Sequence, residues 1–120
     1  MALFETGNFK LHSGQSSTWK INCDALTDSD IAALAYLIAR QISFADVVGI
    51  PEGGTRLASA LEQYRSKSSD ITLIVDDVLT TGASMETMRT KHPGSLGIVI
   101  FARGKLPIGV GALFQCNVEG

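Results

Sequence analysis

The sequence predicts an α/β domain built on a mainly parallel central sheet with helices on both faces. Short runs of β-forming residues alternate with stretches of helical periodicity, the pattern of strand–helix–strand crossovers. One run, Ile71-Thr72-Leu73-Ile74-Val75, is nearly unbroken in β-formers, as a strand buried on both faces should be. Two apolar runs break at Pro51 and Asp76. Both breaks fall at strand carboxyl ends, beyond which open α/β sheets bind their ligands.

Residues 8–23 read as two extended pieces, Phe9–His12 and Ser17–Cys23, around a turn at Ser13-Gly14. Thr18, Trp19 and Ile21 suit strands. A helix follows, with Thr27 as its cap and Asp30 three residues later near the positive helix end. Ile31, Leu34, Ala35 and Ile38 then form one apolar stripe. Ala45–Ile50 is a short strand that runs into the loop Pro51-Glu52-Gly53-Gly54. Thr55 is the expected cap of a second helix that turns Leu57, Ala58 and Leu61 inward. The strand 71–75 breaks at Asp76, and a short helix follows to about Thr90. His92-Pro93-Gly94 ends that helix. Gly97–Ala102 and Ala112–Cys116 are the remaining strands.

A chain of 120 residues and 12.7 kDa fits one domain, 1–120. With 45% hydrophobic residues, disorder is excluded. Ten basic against twelve acidic side chains leave a net charge of −2, with no long basic run. A nucleic-acid-binding surface is therefore not expected. Residues 51–105 carry seven basic and six acidic groups, against three and five in residues 1–50, so the later region suits an anionic ligand better. Cys23 and Cys116 stand far apart with no metal-ligand spacing, and read as reduced, partly buried thiols. No apolar stretch approaches the ~20 residues of a membrane span. MALFETGNFK lacks the layout of a signal peptide. The expectation is a soluble cytoplasmic protein with no membrane partner.

The chemistry concentrates in Leu73-Ile74-Val75-Asp76-Asp77-Val78-Leu79-Thr80-Thr81-Gly82-Ala83-Ser84. A buried strand delivers two adjacent carboxylates to the sheet edge, and a hydroxyl- and glycine-rich loop leads into a helix. Free backbone N–H groups and the helix dipole bind phosphate without a lysine. Gly82 allows close backbone approach, and Thr80, Thr81 and Ser84 add hydroxyl donors. Carboxylates beside a phosphate need other partners, which ribose hydroxyls or hydrated Mg²⁺ provide. The implied ligand is a phosphorylated sugar. No lysine follows the glycine, so the string is not a Walker loop.

This string resembles the phosphoribosyl-pyrophosphate (PRPP) motif of type I phosphoribosyltransferases. Phe9–Ser17 resembles the amino-terminal Phe-x-Leu-x-Ser-Gly segment of orotate phosphoribosyltransferase, and Gly49–Gly54 resembles its pyrophosphate loop. Gly97–Arg103 resembles the strand ending in its orotate-holding arginine. The likeness covers roughly residues 9–104 and is strongest at 73–84.

It implies a PRPP-binding core at 26–120 under a small amino-terminal hood at 1–25. It also implies transfer of ribose 5-phosphate to a nucleobase, orotate first, with release of pyrophosphate. A related protein that binds PRPP or a nucleotide without catalysis is the alternative. In the implied roles Asp76 and Asp77 face the ribose hydroxyls as the catalytic pair. Thr80, Thr81, Gly82, Ala83 and Ser84 cradle the 5′-phosphate. Glu52, Gly53 and Gly54 border the pyrophosphate, with Arg65 and Lys67 as a basic remnant beside it. Arg103 and Trp19 contact the base. Mg²⁺ is the implied cofactor, carried by the pyrophosphate with Asp76 and Asp77 as further oxygen donors, and a homodimer is the implied assembly.

The departures are equally specific. His12 and Gln15 stand where the family usually has Lys and Arg, and Ala102 replaces the acid that precedes the arginine. The family's long mobile basic loop is reduced to the seven residues Tyr64–Asp70, too short to fold over a ligand.

Overall fold

The computed structural model describes residues 2–10 and 16–116. Its elements are β1 (Phe4–Lys10), β2 (Ser16–Ile21), α1 (Asp28–Gln41), β3 (Asp46–Gly49), α2 (Thr55–Leu61), β4 (Thr72–Leu79), α3 (Ala83–Lys91), β5 (Leu96–Arg103) and β6 (Val110–Cys116). β1 and β2 form an antiparallel hairpin. The other strands form a parallel sheet in the order β3-β4-β5-β6. The expected architecture is present.

α1 begins with the expected cap. Thr27 Oγ1 accepts from the Asp30 N–H at 3.1 Å, and Asp30 Oδ2 accepts from the Thr27 N–H at 2.8 Å. This reciprocal pair satisfies two N–H groups that a helix start would leave open. The α1 stripe Ile31, Leu34, Ala35 and Ile38 is buried. It packs with Leu57 and Leu61 of α2 on Leu73, Val75 and Ile100 of the sheet. On the opposite face Met85 of α3 packs with Ile74, Val99, Ala102 and Val110. Alternate residues of β4 thus feed opposite cores, as the period of a strand requires.

Several boundaries differ from the sequence expectation, three of them as follows. β4 continues through Asp76 and Asp77 to Leu79, paired to β5 at Asp76↔Val99, Val78↔Phe101 and Leu79↔Ala102. Aspartate is a poor strand former, but strand pairing outweighs that local preference. Thr55 is the first helical residue of α2 and not its cap. Gly54 occupies the cap, and Thr55 Oγ1 donates back to the Glu52 carbonyl at 2.8 Å. β1 starts at Phe4, ahead of the expected Phe9. His12, Gln15 and the Ser13-Gly14 turn lie outside the described residues.

The crossovers explain where a site can form. The chain moves from β3 to β4 to β5 in one direction across the sheet, yet α2 and α3 lie on opposite faces. The two crossovers therefore have opposite hands, although such connections are right-handed in about 98% of cases. The chain leaves the carboxyl end of β3 toward one face and that of β4 toward the other. A crevice opens between these two ends.

The hairpin closes one side of this crevice. The Phe4 ring meets Phe101 edge-on at 6.1 Å, and the Asn22 N–H donates to the Leu3 carbonyl at 2.5 Å. On the α3 face, Arg89 Nη1 donates to the Ile108 carbonyl at 2.9 Å, and its Nε and Nη2 donate to the Ser95 carbonyl at 3.3 Å. Arg89 thereby holds the return connection between β5 and β6 against α3.

Candidate functional site

The crevice contains a cleft of about 920 Å³. Its walls come from the end of the hairpin, the turn at Cys23–Ala25, the loop after β3, the carboxyl half of β4, the start of α3 and the end of β5. Of the residues expected from sequence, Glu52, Gly53, Asp76, Asp77, Thr80, Thr81, Gly82, Ala83, Ser84 and Arg103 all line it.

Asp76 and Asp77 are half-buried. Asp76 Oδ1 accepts from the Asp77 N–H at 2.8 Å, and Asp77 Oδ1 accepts from the Val78 N–H at 2.7 Å. Burial pushes the Asp76 carboxyl up from 3.8 to about 7, and the adjacent Asp77 carboxylate adds to the rise. Near neutral pH the pair therefore carries less than two full charges.

The loop after β3 is tied down on β4. The Ile50 N–H donates to the Val75 carbonyl at 2.9 Å, and the Gly54 N–H donates to the Ile50 carbonyl at 2.8 Å. The Pro51–Glu52 peptide is cis. Gly53 lies directly on the Asp77 carboxylate, where any Cβ would overlap the acid. Gly54 supports this loop from beneath and caps α2.

The turn after β4 ends in Gly82 at φ 86°, a left-handed conformation that other residues rarely adopt. Gly82 caps α3 without a side-chain acceptor. Thr81 Oγ1 makes only a 3.4 Å contact with the Ala83 N–H. The α3 N–H groups and dipole therefore sit at the cleft wall beside hydroxyls from Thr80, Thr81 and Ser84. Such an arrangement offers the donors that a phosphate monoester accepts from.

Arg103 ends β5 and is 7% exposed. Burial pulls its pKa below the ordinary arginine value, and a guanidinium so placed still carries its charge. Trp19 lies on β2, and its side chain is outside the described residues.

Arg65 and Lys67, expected beside the pyrophosphate, are not brought to the cleft wall. Arg65 Nε donates to the Ala45 carbonyl at 2.7 Å, and its guanidinium pairs with Asp46 at 2.5 Å and Glu62 at 3.2 Å. Ala45 and Asp46 mark the amino end of β3, opposite the cleft. The Ser66 N–H donates to the Phe44 carbonyl, and Ser69 Oγ to the Ser43 carbonyl, which stitches the segment containing Lys67 to that same end.

Sequence reasoning missed Lys20, Cys23, Asp24 and Arg56 in the cleft wall. Arg56 had a usable signal, since it sits two residues past the Gly53-Gly54 loop. Cys23 had none. Burial first, then the charges of Asp77, Asp24 and Asp76, push its thiol up to about 12. At neutral pH that keeps the thiol protonated. Among the described residues no group of three or more His, Cys, Asp or Glu could hold a metal ion.

Comparison with solved structures matches this architecture. Leishmania donovani UMP synthase superposes with a TM-score of 0.72 at 21% identity over 94% of this chain. The chain spans only 33% of that protein. The orotate phosphoribosyltransferase of Aeropyrum pernix superposes with a TM-score of 0.68 at 23% identity, covering 94% of this chain and 88% of that one. The chain has the type I phosphoribosyltransferase fold. Helicobacter pylori xanthine-guanine-hypoxanthine phosphoribosyltransferase is more distant, with a TM-score of 0.54 at 15% identity over 77% of this chain and 83% of that one. No protein-family model matches the sequence, and none of the curated proteins does. Among the described residues no helix is long and apolar enough to cross a membrane.

Proposed function

We propose that this chain binds PRPP in the cleft and transfers its ribose 5-phosphate to a nitrogen of a nucleobase, orotate first, releasing pyrophosphate. The observation that carries this reading is the convergence of Asp76-Asp77, the Thr80–Ser84 turn and the Glu52–Gly54 loop at one sheet edge.

The assignment follows the chemistry of each wall. The start of α3 takes the 5′-phosphate. Asp76 and Asp77 accept from the ribose hydroxyls and face the positive charge that builds on the sugar as the glycosidic bond breaks. The loop against Asp77 borders the pyrophosphate, and Arg103 meets an acidic group on the base. The protein's main contribution is to hold the two reactants in line. Glu52, Asp76 and Asp77 are oxygen donors of the kind Mg²⁺ takes alongside substrate phosphates. When bound, that ion offsets charge on the departing pyrophosphate. The same reading makes the protein a cytoplasmic homodimer.

A second reading, PRPP binding without turnover, is favoured by one observation. The segment after α2 is fastened at the far end of the sheet and brings no cation over the cleft. One experiment separates the two. The protein is incubated with PRPP, Mg²⁺ and a panel of pyrimidine and purine bases, and pyrophosphate is followed. Release that depends on one base establishes the transferase and its substrate. Calorimetric PRPP binding with no release establishes the binder. Absence of both refutes the assignment of the cleft.

A further inference from the structure

We propose that Arg56 and Lys20 are the cations that hold the diphosphate end of the ligand, a role no lid residue fills here. The proposal rests on the PRPP reading above. Both residues line the cleft, Arg56 from the first turn of α2 and Lys20 from the end of β2. Their counter-ions do not line it. Arg56 Nη2 donates to Asp28 Oδ1 at 3.1 Å and to the Leu26 carbonyl at 2.9 Å. Lys20 Nζ pairs with Glu5 at 3.4 Å. Arg56 therefore stands between an acid outside the cleft and the open space inside it.

The holding pairs are weak. The Asp28 side chain is fully exposed, and Arg56 and Lys20 are 41% and 40% exposed. Ion pairs of this kind contribute little, since water screens them and long side chains lose freedom in making them. A diphosphate offers a higher charge density and, for arginine, a bidentate match. Arg56 can then turn from its surface acid to the ligand at small cost.

Position assigns them to the diphosphate end in particular. Arg56 follows the Glu52–Gly54 loop by two residues, whereas the 5′-phosphate cradle lies at the start of α3. The acids in the wall, Asp24, Glu52, Asp76 and Asp77, outnumber the cations Lys20, Arg56 and Arg103. A polyanionic ligand therefore needs these two cations directed at it, and Arg103 alone, at the end of β5, does not supply them.

The test uses calorimetry with three probes: PRPP, inorganic pyrophosphate and ribose 5-phosphate, each with Mg²⁺. Arg56→Gln and Lys20→Gln are compared with wild type and with Arg40→Gln, which removes an exposed charge at α1 outside the cleft. Each cleft variant is expected to weaken PRPP and pyrophosphate about tenfold, on the scale of one charge-assisted hydrogen bond. Ribose 5-phosphate affinity should stay within twofold, and R40Q should change none of the three. Arg56→Lys should recover part of the R56Q loss. Wild-type binding of PRPP with R56Q and K20Q unchanged overturns this inference and leaves the PRPP reading intact. Equal losses for pyrophosphate and ribose 5-phosphate overturn it as well, because they mark a general field or a damaged fold. Failure of wild type to bind PRPP or ribose 5-phosphate refutes the underlying reading instead.

Discussion

Replacing Asp76 with asparagine should stabilise the fold at alkaline pH while impairing the site. The Asp76 carboxyl is pushed from 3.8 to about 7 by burial and by Asp77. Below pH 3.8 it is neutral in both folded and unfolded chains. Between about pH 4 and 7 the folded state keeps a proton that the unfolded state has released. The unfolded state then binds fewer protons, so stability falls as pH rises through this window and levels off above about 7. At about 1.4 kcal/mol per pH unit the ceiling is about 4 kcal/mol. Solvent at the cleft mouth screens the group and lowers the expected effect to about 1–2 kcal/mol. Asparagine has nearly the same shape, its carbonyl can still accept from the Asp77 N–H, and it never ionises. Urea unfolding at pH 4, 6 and 8 should show Asp76→Asn gaining on wild type, with the gap near zero at pH 4 and about 1–2 kcal/mol at pH 8. PRPP affinity should fall in the same variant. A stability gap that does not widen with pH would refute the claim that Asp76 is buried at an energetic cost.

Further outcomes follow from particular contacts. Gly53→Ala places a methyl group on the Asp77 carboxylate; it should weaken PRPP at least tenfold by calorimetry with an unchanged circular dichroism spectrum. Arg89→Ala leaves the Ile108 and Ser95 carbonyls without their guanidinium donor. It should cost about 2 kcal/mol in urea unfolding. Arg65→Ala should leave PRPP affinity within twofold of wild type, because its guanidinium is engaged at the amino end of β3. A tenfold loss there would restore the sequence-based role of that residue.

Local chemistry was the part of the fold most legible in sequence. The Thr27–Asp30 capping box and the stripe from Ile31 to Ile38 need only a few neighbouring residues, and both appear as read. The end of β4 was not legible, because Asp76 and Asp77 stay in the strand through pairing with β5, a partner twenty-odd residues away in the chain. The turn at Thr80–Ser84 was legible because its glycine and hydroxyls are contiguous. Arg65's position was not legible for the converse reason: it is near the motif in sequence but at the other end of the sheet in space. Arg56 and Lys20 reach the cleft from separate elements whose convergence depends on tertiary packing.

The opposite hands of the two crossovers have a consequence for engineering. With strands in the order β3-β4-β5, two right-handed crossovers would place α2 and α3 on the same face. The chain would then leave β3 and β4 in the same direction, and no crevice would open between them. The less favoured hand is thus what opens the cleft between the two strand ends. A redesign that restored the common hand at both crossovers would close that cleft, whatever residues it kept.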